Sequence, residues 1–191
     1  MKITLLKGKA NEMDYLMNIL LLTTIYFLVF YPKWRLKSKR TLILNTTFYF
    51  YIVVVLFFTI MPFRIPLGAT NNLVMSTAIF IPFYDLIQGY YGAVRDIVLN
   101  IIMLMPFGFL LPLIRATNVF KTVFITFLFS LSIESYQLVN GWWGTSSRIF
   151  DVTDLMTNTF GGFIGYVIWF QMATEYNKSL ISSQIQKNNN N

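Results

Sequence analysis

The 191-residue chain contains no histidine and no cysteine, and only 12% of its residues are charged. The lack of cysteine excludes disulfides and thiolate chemistry. The lack of histidine excludes imidazole bases, Ser-His nucleophile pairs and His-ligated zinc. Any chemistry in this protein must therefore use Asp, Glu, Arg, Lys, Tyr or Ser side chains, or a hard metal ion bound by oxygen atoms.

Apolar residues, in contrast, are abundant: 55% of the chain is hydrophobic, 18% is aromatic and the mean hydropathy is +0.57. A membrane-spanning helix needs roughly 20 mostly apolar residues, and five stretches approach or reach that length. They lie at residues 15–31, 42–61, 96–114, 119–139 and 152–170. A further apolar stretch near 73–91 is too short to span and is interrupted by Pro82, which is typical of a re-entrant or interfacial segment. The sequence thus predicts an all-α integral membrane protein with about five transmembrane helices.

The chain divides into three predicted parts. Residues 1–41 hold an N-terminal tail, an extra transmembrane helix and a basic loop, and residues 42–172 hold a four-helix membrane core. Residues 173–191 form a polar tail ending in "SSQIQKNNNN", whose composition predicts disorder.

The distribution of Lys and Arg predicts the orientation in the membrane. The loop "YPKWRLKSKR" carries five of them, the strongest single topology signal in the chain. It favours an N-terminus outside and a C-terminus in the cytoplasm, so that segments 62–95 and 140–151 face the exterior. The net charge of +7 sits in short segments between apolar spans, where it suits topology and anionic headgroups, and nucleic-acid binding is not expected.

Polar residues and glycines share one face of the fifth predicted helix. At 100 degrees per residue, six of them fall within about 100 degrees of one another. They are Asp151, Asp154, Asn158, Gly161, Gly162 and Gly165. Because glycines on one face let a neighbouring helix approach closely, this face is predicted to contact protein and not lipid.

Two other predicted helices offer polar partners at a similar depth. Asp96 and Asn100 share a face of one helix, as do Ser130, Glu134 and Gln137 of another. At 1.5 Å per residue, Asn100, Glu134 and Asn158 each lie about 9–10 Å in from the outer end of their helices. We therefore predict an outward-facing polar pocket with Arg148 and Asp151 at its rim. The predicted cluster comprises Asp96, Asn100, Glu134, Gln137, Arg148, Asp151, Asp154 and Asn158.

Purely structural roles remain open for several of these residues. Asp151 can be the N-cap of the fifth helix, and Arg148 can pair with the aspartates. Asn100 and Asn158 can be interhelical hydrogen-bonding residues. Glu134 is the best catalytic candidate, because a carboxylate more than one turn deep in the membrane needs either a partner or a proton.

These motifs resemble the VanZ family of membrane proteins, which is associated with resistance to glycopeptide antibiotics of the teicoplanin type. The matching stretches are "NIIMLMPFG", "ESYQ" and "SRIFDVTDLMTNTFGG", with "FIPF" at 80–83 resembling a short upstream motif. The resemblance covers residues 42–170 and implies a cell-envelope protein. It does not imply a defined catalytic activity, and the role of residues 1–41 stays open.

Three functions are compatible with these features. The first is a non-enzymatic envelope factor whose pocket binds a membrane lipid headgroup, a lipid-linked cell-wall precursor or the glycopeptide antibiotic itself. The second is a membrane enzyme acting on a lipid-linked substrate, with Glu134 or an aspartate as acid/base and Mg²⁺ held by Asp151, Asp154 and Asp96. The third is a lipid transporter, which at this chain length would need a homodimer.

Overall fold

The computed structural model describes residues 12–63, 78–142 and 150–189. Helices account for 84% of these residues, and the described ranges contain no β-strand. The helices are α1 (Glu12–Ile25), α2 (Tyr31–Trp34), α3 (Lys39–Thr59), α4 (Tyr84–Ile87), α5 (Ala93–Ile114), α6 (Val119–Trp142) and α7 (Val152–Asn189), with a π-helical turn (Tyr26–Phe30) joining α1 to α2. The prediction of an all-α membrane protein is confirmed.

Four helical segments in the described ranges are long and apolar enough to cross a membrane. They are Glu12–Trp34, α3, α5 and α6. The fifth predicted span lies in α7, which has the length but is too polar on average to be among them. Thr157 and Asn158 contribute to this polarity, yet both are buried inside the bundle. The average hydropathy of α7 therefore understates how apolar its lipid-facing surface is, because its polar residues face protein.

Helix α7 packs most extensively on α5 and next on α6, and glycines make this close packing feasible. A Cβ atom added at Gly161 would overlap the carbonyl oxygen of Ile101, and one at Gly165 would overlap that of Met105. Gly162 faces the side chain of Thr126 on α6. The prediction that the glycine face contacts protein is confirmed.

An apolar core fills the space between α3, α5 and α6. Its buried members are Val55, Leu104, Phe107, Leu111 and Ile133. The ring of Phe107 stacks on Phe129 at 5.0 Å and contacts Phe48 at 5.4 Å between centroids, which joins the three helices.

The first helix is tied to α3 by aromatic residues. Tyr26, at the start of the π-helical turn, is buried, and its hydroxyl hydrogen-bonds the hydroxyl of Thr46 at 2.7 Å. The Tyr49 hydroxyl donates to the carbonyl oxygen of Leu22, also at 2.7 Å. Residues 12–34 therefore pack on the core through α3.

Residues 78–92 do not cross the bundle. They contain the single turn α4, and the backbone of Ile79 pairs in parallel with Asp151 just before α7. The described part of the segment predicted near 73–91 therefore contains no helix long enough to span a membrane, whereas residues 73–77 lie outside the described residues.

The C-terminal tail differs from its prediction. Residues 173–191 are predicted to be disordered, but α7 continues through them to Asn189. No glycine or proline interrupts residues 173–189, so the helix has no local reason to end. An ion pair of 2.8 Å between Glu175 and Lys178, three residues apart, supports the exposed extension.

Candidate functional site

The start of α7 is held by two carboxylates. The backbone N–H of Thr153 donates to Oδ1 of Asp151 at 2.7 Å, so Asp151 is the N-cap of α7, as one interpretation of the sequence predicts. The backbone N–H of Asp151 donates to Oε2 of Glu134 at 3.1 Å. Glu134 is only 1% exposed, so α6 places a fully buried acceptor at the positive end of the α7 dipole.

A second contact joins α5 to α7 less than one turn further along. Nδ2 of Asn100 donates to Oδ1 of Asp154 at 2.6 Å. A hydrogen bond to a carboxylate is shorter and stronger than one between neutral groups. Asn100 therefore fixes the position of the Asp154 carboxylate at this level of the bundle.

A third contact lies one turn deeper. Nδ2 of Asn158 donates to Oγ of Ser130 at 3.0 Å, with both side chains buried. Oδ1 of Asn158 is buried and has no hydrogen-bond partner in the described ranges.

These contacts correct the prediction that Asn100, Glu134 and Asn158 meet at one level. Each contacts a different partner: Asn100 contacts Asp154, Glu134 contacts the backbone of Asp151, and Asn158 contacts Ser130. Helix α7 therefore lies about one turn deeper in the bundle than the count of residues from its outer end predicts. The physical reason is that the unpaired N–H groups at its start need an acceptor, and Glu134 supplies one below the rim.

Three members of the predicted cluster remain to be placed: Gln137, Asp96 and Arg148. Nε2 of Gln137 donates to the carbonyl oxygen of Thr59 at 3.1 Å, which pairs one of the free carbonyls at the end of α3. Asp96 is exposed and forms an ion pair of 3.0 Å with its neighbour Arg95. Arg148 lies outside the described residues.

Thr153 also belongs to the site, although it is not a member of the predicted cluster. Its Oγ1 accepts a hydrogen bond of 2.9 Å from the backbone N–H of Phe83, which has a left-handed φ of 56°. Ile79 exchanges backbone hydrogen bonds with Phe150 and Val152, at 2.9 and 3.0 Å. The available signal was the "FIPF" motif at 80–83, which the resemblance identifies without giving its partner.

A groove of about 820 Å³ runs between α3 and α5 and ends at the start of α7. Its polar end includes the side chains of Asp85, Asp96, Asn100, Asp151, Thr153 and Asp154. Its apolar wall includes Tyr51, Val54, Phe58, Leu99, Ile102, Met103 and Pro106. Four members of the predicted cluster therefore share this groove, whereas Glu134, Gln137 and Asn158 are buried among the helices and are not among its described lining residues.

The sequence model of the VanZ/LLP1 family matches residues 48–173. The chain belongs to the VanZ/LLP1 family. The match begins within α3 and ends within α7, so it includes every residue of the predicted cluster and leaves out α1 and α2. No curated protein and no solved structure matches the chain significantly.

The VanZ/LLP1 residues do not form a ready metal site in the described ranges, where no group of three or more Asp or Glu side chains could hold an ion. Asp151 caps α7, Asp154 accepts from Asn100, and Asp96 pairs with Arg95. The hypothesis that Asp151, Asp154 and Asp96 bind Mg²⁺ therefore gains no support from this geometry.

Proposed function

We propose that this VanZ/LLP1 protein acts in the cell envelope to lower susceptibility to glycopeptide and lipoglycopeptide antibiotics of the teicoplanin type. Its polar site opens to the outer face of the membrane and binds a lipid-linked ligand of the envelope or the drug itself. The supporting observation is the groove between α3 and α5, in which aspartates and an apolar wall adjoin. A ligand with a polar headgroup and a hydrocarbon chain has a polar and an apolar part that match these two parts of the groove.

The proposed orientation is supported by which segments lie at the same end of the bundle. The bond from Gln137 to Thr59 brings the end of α3 to the level where α7 starts, and Ile79 pairs with Asp151 at the same end. The basic residues at 33–40 precede and begin α3, so they lie at the opposite end. Because basic loops tend to stay in the cytoplasm, this placement supports the proposed orientation, in which the groove's polar end faces outward.

Cysteine labelling tests this orientation without background, since the chain has no native cysteine. Gln88→Cys, at an exposed position beside α4, should react with a membrane-impermeant thiol reagent in intact cells. Ser146→Cys should behave in the same way. Lys37→Cys, at the basic end, should react only after permeabilisation. The reverse pattern would place the site on the cytoplasmic side and contradict the proposed protection at the cell surface.

The function itself is tested by binding of fluorescent teicoplanin to whole cells, together with drug susceptibility. Cells with the wild-type protein should bind less drug and survive higher concentrations than cells without it. Glu134→Ala should behave like no protein. Met156→Leu, on the exposed face of α7, is the matched control and should behave like wild type. Equal drug binding by cells with and without the wild-type protein would refute the proposal.

A further inference from the structure

We propose that the groove between α3 and α5 is a lateral lipid site, which takes one hydrocarbon chain of a membrane lipid whose headgroup carries a net positive, amino-type charge. The inference rests on the proposed function in one respect, since it names the ligand class of the same groove. The volume of the groove, about 820 Å³, is within the range of sites that enclose small organic ligands.

The side of the groove that faces the bilayer is apolar. Leu99 and Ile102 of α5 are each 54% exposed, and Phe58 of α3 is 59% exposed. All three line the groove. Helices α3 and α5 also contact each other far less extensively than α5 contacts α7. A lipid chain can therefore enter sideways without leaving the hydrocarbon region.

The apolar wall alone cannot select a ligand. Lipid chains in the bilayer are already in an apolar environment, so moving one into the groove yields no hydrophobic gain. Packing against the wall positions the chain, and discrimination between lipids must come from the polar end.

The polar end favours a cation. Four aspartates line it, at positions 85, 96, 151 and 154, and Asp96 is paired with a neighbouring cation, Arg95. The described lining residues themselves include no Lys or Arg. The Asp85 side chain is half-buried and forms no hydrogen bond or ion pair within the described ranges. A phosphate headgroup would meet like charge here, whereas an ammonium group would be attracted.

A pair of single-cysteine variants can detect a chain in the groove. Leu99→Cys places a fluorophore in the groove, and Val98→Cys places it on the adjacent residue of α5, which is 44% exposed and is not among the groove's lining residues. Both positions lie within about 1.5 Å of the same depth. Each labelled protein is placed in nanodiscs of phosphatidylcholine, a zwitterionic lipid with no net charge.

Three probes with the same spin-labelled hydrocarbon chain are then titrated, with trimethylammonium, phosphocholine or phosphate as headgroup. We expect the ammonium probe to quench the fluorophore at position 99 saturably, at about tenfold lower mole fraction than the phosphate probe. Quenching at position 98 should rise linearly with all three probes. In the Leu99→Cys background, Asp85→Asn should raise the half-saturating mole fraction of the ammonium probe about fivefold, the effect of about one charge.

Each contrary outcome has a definite meaning. Linear quenching at both positions would exclude a lipid site in the groove. Saturation that is equal for all headgroups, or stronger for phosphate, would overturn the cationic assignment. Protection of cells against teicoplanin is measured separately, so a failure of protection with saturable ammonium binding refutes the proposed function alone.

Discussion

Replacement of Glu134 tests whether its carboxylate has a structural or a functional role. The side chain is 1% exposed and accepts the backbone N–H of Asp151 at 3.1 Å. Glu134→Ala leaves that N–H group without this acceptor, which costs about 1–3 kcal/mol for a buried donor. Glu134→Gln keeps an acceptor oxygen and loses the interaction of the charge with the α7 dipole, about 0.3–1 kcal/mol and up to about 2 kcal/mol when partly buried.

We therefore expect Glu134→Gln to remain within about 2 kcal/mol of the wild-type unfolding free energy, and Glu134→Ala to be less stable. Both variants should nevertheless lose protection against teicoplanin, because both remove the charge and the titratable proton. Stability is measured by denaturant unfolding in detergent micelles, followed by tryptophan fluorescence. Protection is measured as susceptibility at matched membrane expression.

Ser135→Ala is the control, since Ser135 neighbours Glu134 on the exposed face of α6. It should retain both stability and protection. Full protection by Glu134→Gln would show that the carboxylate serves only to position α7. Loss of protection in proportion to loss of folded protein would refute the functional role in the same way.

Further predictions concern the helix contact and the charged groups around α7. Gly165→Leu should lower the unfolding free energy by about 3 kcal/mol or more, because a side chain there overlaps the backbone of α5. Phe163→Leu, on the exposed face of α7, should change it by less than about 1 kcal/mol. Equal thermal stability of the two variants would contradict the observed packing. Asp154→Asn keeps an oxygen that can accept a hydrogen bond from Asn100, so the folded yield in detergent should be near that of the wild type while protection is lost. Retained protection would show that Asp154 serves only helix packing. Arg148→Ala should likewise abolish protection at normal expression, and unchanged susceptibility would remove Arg148 from the site.

The positions of the helices could be predicted from the sequence because the membrane imposes them. The predicted spans 96–114 and 119–139 correspond to α5 (Ala93–Ile114) and α6 (Val119–Trp142). Both real helices extend past the predicted apolar run into polar residues, Arg95 at the start of α5 and Asn140 near the end of α6. A hydropathy criterion stops at the first polar residues, whereas the backbone remains helical, since its N–H and C=O groups still need partners near the membrane.

The sequence could predict which polar residues share a helix face, but it could not predict which of them contact each other. Helical periodicity assigns Asp154 and Asn158 to one face, because rotation per residue is fixed. The axial shift of one helix against another is set by tertiary contacts, here by Glu134 accepting from the first turn of α7. Sequence counting therefore placed α7 about one turn too far out.

The groove was beyond what the sequence could predict. Its polar end depends on the segment before α5, where Phe83 adopts a left-handed conformation and donates to Thr153. Nothing in the local composition specifies that contact, which joins residues 70 positions apart in the chain. Its apolar wall lies between α3 and α5, which also contact each other where the Tyr51 hydroxyl donates to the carbonyl oxygen of Met103 at 2.6 Å, and this arrangement depends on how the whole bundle packs.

Helix α6 explains why the site and the packing are so closely connected. Its buried face consists mainly of polar residues, including Thr122, Thr126, Ser130, Glu134 and Gln137. In a bilayer the lipid solvates the apolar face, so polar residues are directed inward and their hydrogen bonds help to specify which helices associate. Glu134 thus continues a polar interior that also holds α6 against α7. Alanine substitutions along this face would remove packing and chemistry together, whereas exchanges such as Glu to Gln or Asp to Asn keep the hydrogen bond and change only the charge.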